Sequence, residues 1–141
     1  LPNHLAALGS NQLKRLEEFN LKRRQIAKNY DKFFKSYPDI FKTQKIDKEF
    51  THSYQMYSIV IKERYRDDLV YYLKKNNIEA SVHFDPPLHE QAYLKKYAVS
   101  LKNTEELSKT IVTLPIYPGL SHLKQKYMFG KINQWYKSKN L

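Results

Sequence analysis

Residues 54–89 read YQMYSIVIKERYRDDLVYYLKKNNIEASVHFDPPLH, and the changes of period along this stretch decide the fold class. Tyr54 to Ile61 is rich in aromatic and β-branched residues, which suit a pleated strand. Tyr57, Ile59 and Ile61 fall on one face and Met56 and Val60 on the other, so a central strand with both faces covered is expected. From Arg66 to Asn76 the spacing becomes helical, with Leu69, Val70, Tyr72 and Leu73 as the apolar set. The pair Asn76-Asn77 then offers a residue that tolerates the left-handed conformation closing a helix. Ile78 to Phe84 alternates again and predicts a second short strand. Pro86-Pro87 halts it, because proline donates no ladder hydrogen bond and cannot continue a helix.

Upstream, Pro2 suits a first helical turn, and Leu5, Leu8, Leu16, Phe19, Ile26, Tyr30, Phe33 and Tyr37 recur at helical spacing. This predicts one long amphipathic helix, bent near Gly9, Ser10 and Asn11, that stops by Tyr37 because Pro38 disfavours the helical region before it. Residues 38–50 read as polar connection. Downstream, Glu90 to Tyr97 and Thr104 to Thr110 predict short helices, the second capped by Asn103 or Thr104 with Glu105 and Glu106 complementing the dipole. Ile111 to Ile116 predicts a third strand, Tyr117-Pro118-Gly119 a turn, and Ser121 the cap of a closing helix that uses Leu123, Tyr127, Ile132 and Trp135 or Tyr136. The expected fold is α/β: a long helix over residues 1–37, then a small domain over 38–141 whose short, roughly three-stranded sheet is covered by helices.

Composition bounds the chemistry. The 141 residues suffice for one compact domain, and the absence of cysteine removes disulfides, thiolate nucleophiles and cysteine metal sites. No apolar run approaches the roughly 20 residues that span a bilayer, so a soluble, cytoplasmic protein with no membrane partner is expected. Leu1 stands where a methionine would open a chain, and the apolar pattern starts at once, so the sequence is expected to begin inside a structure. The net charge of +11 would steer the chain toward anions. Its lysines, however, are spread along the whole chain, as at Lys14, Lys62, Lys109 and Lys137, rather than gathered in one block, which reads as a solvated surface and predicts no specific nucleic-acid partner.

With only three glycines there is no phosphate loop, and neither a His-x-x-x-His pair nor a nucleophile elbow is present, so an autonomous enzyme is not expected. The densest set of reactive side chains is His83-Phe84-Asp85-Pro86-Pro87-Leu88-His89: two imidazoles and a carboxylate on a proline-stiffened loop following a predicted strand. A histidine there can bond a sugar hydroxyl or a phosphate, or move a proton near neutral pH. The plain structural reading stands beside this one: His83 as a hydrogen-bonded structural histidine and His89 as a packing residue at a helix start. No metal site is proposed.

The segment Leu1-Pro2-Asn3-His4-Leu5-Ala6-Ala7-Leu8-Gly9 with Gln12-Leu13 and Leu16 closely resembles a stretch of DegT/DnrJ/StrS sugar aminotransferases. Further resemblances follow in family order: Arg23-Arg24 with Ile26-Ala27 and Tyr30; Ser53-Tyr54-Gln55-Met56-Tyr57; Arg66-Asp67-Asp68-Leu69; Ile78 through His83-Phe84 to Pro87-Leu88-His89 with Tyr93; and Leu114-Pro115-Ile116-Tyr117-Pro118-Gly119-Leu120-Ser121. Each motif alone is weak, but their order along essentially the whole chain is not.

The resemblance implies a C-terminal part of a homodimeric enzyme that uses pyridoxal phosphate to move an amino group, usually from glutamate, to a keto group of a nucleotide-linked sugar. In such enzymes the cofactor-binding lysine and the carboxylate partnering the pyridine nitrogen lie in the large N-terminal domain. No lysine here has the family's Ser- and Gly-rich context, so this chain alone is expected to be inactive and to hold no cofactor. It implies that His83 and Phe84 line the substrate pocket, with His89 and Gln55 as lesser wall residues. Phe84 stands where a tyrosine is common and Gln55 where a histidine is frequent, while Asn77 replaces a usual glycine. The apolar stripe of the first helix would pack on the large domain and the partner subunit, and in isolation is expected to drive self-association. The rival readings are a basic module that binds nucleic acid and a structural remnant that has lost catalysis.

Overall fold

The computed structural model describes residues 2–97 and 99–140. Helix α1 spans Asn3–Lys14 and α2 spans Leu16–Phe34. The long predicted helix therefore breaks at Arg15, where ψ is 0° and the N–H bonds back to the Gln12 carbonyl at 3.0 Å in a tightened turn. Gly9 lies inside the uninterrupted α1, so the interruption comes at Arg15 and not near Gly9, Ser10 and Asn11 as expected. Helix α2 buries Ile26, Ala27, Tyr30 and Phe34 at helical spacing and ends before Pro38, while α1 buries no residue.

Strands β1 (Phe41–Thr43), β2 (Tyr57–Ile61) and β3 (Ile111–Leu114) form an antiparallel sheet in that spatial order. Phe41 stands opposite Ile61, and Tyr57 opposite Leu114. The predicted central strand is thus central, but β1 falls in the stretch read as polar connection. Its three residues are too few to display a period of two.

The second strand predicted over 78–84 is replaced by a single bridge. Ser81 and Thr113 exchange backbone bonds of 3.0 and 2.8 Å at the free edge of β3. Before the bridge, the Ala80 N–H bonds the Ile78 carbonyl and curls the chain. After it, Phe84 turns left-handed and the two prolines bring no N–H, so a ladder cannot continue.

Helix α3 (Glu63–Lys75) ends as the asparagine pair predicts. Asn77 takes φ 57°, its N–H bonds the Lys74 carbonyl, and the Ile78 N–H reaches back to Leu73, with Ile78 and Leu73 both buried. The region Glu90 to Tyr97 forms two 3₁₀ turns, Leu88–Glu90 and Ala92–Tyr97. Helix α4 (Lys102–Thr110) begins ahead of the caps expected at Asn103 or Thr104; the Glu105 carboxylate instead reaches back to the Leu101 N–H at 2.7 Å. Helix α5 (His122–Ser138) is capped by the Ser121 hydroxyl, which accepts from the Lys124 N–H. Its buried face carries Gln125, Met128, Ile132 and Trp135, so Leu123 and Tyr127 point outward, contrary to expectation.

One face of the sheet builds the core. Tyr57 meets Tyr30 of α2 edge-on at 4.7 Å between ring centroids, Phe41 meets Phe34, and the Trp135 ring of α5 lies beside Phe41. Leu69 and Leu73 of α3 complete this cluster. The other face is mixed and half-buried, so the expected cover is partial: Val60 stands opposite Ile111 there, and Thr113 is buried. Ser58, Thr113 and Ser81 stand opposite one another across it, and Ser58 Oγ lies 3.1 Å from Thr113 Oγ1.

Candidate functional site: the loop beyond Ser81

The bridge at Ser81 delivers His83 and Phe84 to the edge of this half-buried face, beside its Ser58–Thr113–Ser81 row. Ser81 is fixed by both its backbone bonds to Thr113, and its hydroxyl lies 3.0 Å from His83 Nε2. That contact occupies Nε2 and leaves Nδ1 as the ring nitrogen available to a ligand. The half-buried His83 ring sits 6.2 Å from the Phe84 ring, and Phe84 is 79% exposed. Phe84 has φ 60°, a left-handed conformation that is uncommon for a residue with a large side chain.

The loop is tied down beyond these residues. Asp85 Oδ2 accepts from Arg66 Nη1 at 2.8 Å, and the Gln91 amide donates to the Pro86 carbonyl at 2.9 Å. Burial pushes the Arg66 pKa down, but hydrogen bonds to Asp67 and Asp85 outweigh it and hold it above its ordinary value. His89 faces a different partner: its Nε2 lies 3.4 Å from Glu105 Oε1. The bond from the Leu101 N–H, resisted by burial and assisted by His89, holds the Glu105 carboxyl below the usual carboxylate range. His89, Glu90 and Glu105 place their ligand-type atoms within 4.8 Å of one another, but Glu105 is already engaged by that amide and by His89.

Gln55 is not gathered with these residues. It is exposed and precedes β2, where Tyr54 takes φ 49° and its N–H bonds His52 Nδ1 at 2.8 Å. The register separates the two parts of the predicted wall. Gln55 lies beyond Tyr57 toward the Leu114 end of β3, whereas His83 lies beyond Ser81 toward the Ile111 end. His83 and Phe84 therefore form one locus, His89 a neighbouring one across Pro86-Pro87, and Gln55 a third. A groove of about 460 Å³ lies elsewhere, between the ends of α3 and β3 and the start of α5, lined by Ile78, Pro115, Tyr117, Leu120 and Tyr127 among others.

Two contributors escaped the reading of the sequence. Ser81 looks like an ordinary outward strand residue. Arg66 was visible only as part of a motif, although the carboxylate it holds, Asp85, stands inside the reactive cluster. Among the lysines, Lys131 and Lys139 are half-buried and the others are exposed. Lys139 is engaged with Asp68 at 2.7 Å, and Lys131 lies over the Tyr127 ring.

The sequence pattern of the DegT/DnrJ/EryC1/StrS aminotransferase family matches residues 1–133. The chain is 31% identical over 124 residues to the spore coat polysaccharide biosynthesis protein SpsC of Bacillus subtilis, covering 82% of this chain and 32% of SpsC. It is 30% identical over 131 residues to the dTDP-3-amino-3,6-dideoxy-alpha-D-galactopyranose transaminase of Aneurinibacillus thermoaerophilus, covering 92% of this chain and 35% of that enzyme. The crystal structure of the aminotransferase TlmJ from Streptoalloteichus hindustanus superposes with a TM-score of 0.88 at 26% identity, over 96% of this chain and 37% of TlmJ. The chain thus spans about a third of the length of these relatives. With that match running through the helix pair, the sheet and the loop that carries His83, the chain belongs to the DegT/DnrJ/EryC1/StrS aminotransferase family.

Proposed function

We propose that this chain is the C-terminal part of an aminotransferase that moves an amino group from an amino acid, glutamate being the expected donor, to a keto group of a nucleotide-linked sugar. Such an enzyme acts in the cytoplasm on precursors of polysaccharides or related glycans. Pyridoxal phosphate supplies the electron sink for that chemistry when bound. The lysines described above do not fit a site for it: a cofactor-binding lysine needs an enclosed position beside the cofactor's own anchoring groups, and these side chains are exposed or already engaged. The cofactor therefore belongs to the remainder of a longer parent, and the isolated chain is inactive.

The role of this chain is to bind and orient. The observation that carries this reading is the fixed His83–Phe84 loop at the edge of the sheet, in a chain that belongs to a family of aminotransferases. His83, with Nε2 held by Ser81, offers Nδ1 to a hydroxyl or phosphate oxygen of the sugar nucleotide. Phe84 offers an exposed aromatic face to the sugar or base. His89 and Gln55 contribute more distant parts of the wall. The apolar side of α1 and the start of α2, with Leu5, Leu8, Leu13 and Leu16 exposed, is covered in the parent by the large domain and the second subunit of a homodimer.

The test is made in the full-length enzyme. His83→Ala is expected to raise the KM for the sugar nucleotide about tenfold, the loss of one good hydrogen bond, while leaving the half-reaction with glutamate within about twofold. An unchanged KM would remove His83 from the substrate wall.

A further inference from the structure

The loop that carries His83 and Phe84 keeps a backbone conformation that its own side chains do not stabilise. Phe84 is left-handed, with φ 60°, yet its ring is 79% exposed, so packing does not offset the strain. A residue in such a region persists only where its surroundings over-determine it. Four ties surround it among the described residues: Ser81 to His83, Gln91 to the Pro86 carbonyl, Arg66 to Asp85, and His89 to Glu105. The first two are made from within the loop and the turns that follow it. The last lies beyond the two prolines, at 3.4 Å from α4, which buries Ser108 alone. Arg66 belongs to α3, which is anchored in the core through Leu69, Val70 and Leu73, and it grips the residue next to Phe84.

The guanidinium is itself fixed. Its side chain is 12% exposed, Nε donates to Asp67 Oδ1 at 2.8 Å, and Nη1 donates to the Ser108 carbonyl as well as to Asp85. Ser108 lies in the last turn of α4, where the helix dipole favours a cation. One planar fork therefore joins α3, the end of α4 and the loop, a geometry that a lysine ammonium does not reproduce.

We infer that Arg66 is the positioning residue of this site: through Asp85 it holds Phe84 left-handed and so sets the direction in which His83 and Phe84 face a ligand, without touching the ligand itself. The inference rests on the reading of His83 and Phe84 as substrate wall, but the loop geometry is measurable without that reading. In the isotopically labelled chain, a strong intraresidue cross-peak between the amide and α protons reports the positive φ of Phe84. Asp85→Asn removes the charge at the exposed end of the pair and leaves the bond from Arg66 to Ser108 in place. It is expected to weaken that cross-peak and to speed amide exchange at Phe84 and Asp85 about tenfold, with the core resonances unmoved. Arg66→Lys is expected to do the same; if it does not fold, Asp85→Asn alone decides.

An unchanged cross-peak and exchange rate in Asp85→Asn overturn the inference. In the full-length enzyme, Asp85→Asn is expected to raise the KM for the sugar nucleotide about tenfold with kcat within about twofold. A loosened loop with unchanged KM, while His83→Ala is impaired, also overturns the positioning role. If His83→Ala binds as tightly as wild type, it is the substrate-wall reading that fails, and the loop measurement stands apart from it.

Discussion

Asp68 shows how much one side chain carries in this fold. The Trp135 ring is buried, and its only polar group, the indole N–H, donates to Asp68 Oδ2 at 2.7 Å, while the same oxygen meets Lys139 Nζ at 2.7 Å. Burial pushes the Asp68 carboxyl up, but the bonds from Lys139 and Trp135 outweigh it and hold it below its ordinary 3.8. A carboxyl depressed in the folded state stabilises above its unfolded value and loses that contribution as pH falls through the folded value. Urea denaturation should show Asp68→Ala destabilised by about 1–3 kcal/mol at neutral pH, because the indole N–H is left without its acceptor. Asp68→Asn keeps an acceptor and loses only a half-exposed ion pair, so its cost is about 0.5 kcal/mol. The difference between wild type and Asp68→Asn should shrink as the pH falls below about 4. At this scale the sequence was legible where one residue type suffices, as at Asn77, whose left-handed conformation follows from the pair Asn76-Asn77. It was silent at Phe84, since nothing local requires an aromatic residue to turn left-handed; the tie to Arg66 comes from another element.

The extents of α3 and α5 were read well, but α1 and α2 were merged into one helix and the three-residue β1 was missed. Helices α3 and α5 display enough turns for their apolar period to emerge, whereas β1 is three residues with a lysine at its centre. Residues 78–84 alternate like a strand, but their pairing is decided by the curl at Ala80 and by the prolines, so one bridge forms. Orientation within an element was the other gap: α5 turns the polar Gln125 inward, where it accepts from the Asn29 amide and donates to the Leu120 carbonyl, and puts Leu123 outside. The outermost element makes its own prediction. Because α1 buries nothing and Leu5, Leu8 and Leu13 are exposed, sedimentation of the isolated chain should show association that rises with concentration. Leu8→Glu combined with Leu13→Glu should return it to monomer without lowering its Tm, since neither side chain belongs to the core. A wild-type chain that stays monomeric at high concentration contradicts this.

Across the whole molecule, charge was the least informative feature and motif order the most. A net charge of +11 alone points toward nucleic acid, but the cations are dispersed over nearly every element. The α/β class and the central β2 were legible because period and composition changed together along residues 54–89. The grouping of the candidate site was not: sequence proximity placed His83, Phe84 and His89 together, yet His89 pairs with Glu105, and the register carries Gln55 toward the opposite end of β3.

The central claim is a division of labour, with the ligand wall on this chain and the cofactor elsewhere in the parent. It is tested most directly by titrating the isolated chain with pyridoxal phosphate, reducing with borohydride and locating the label by mass spectrometry. The account predicts non-saturable, substoichiometric labelling scattered over several exposed lysines. One lysine labelled saturably and to completion, with a matching absorbance band before reduction, would contradict it.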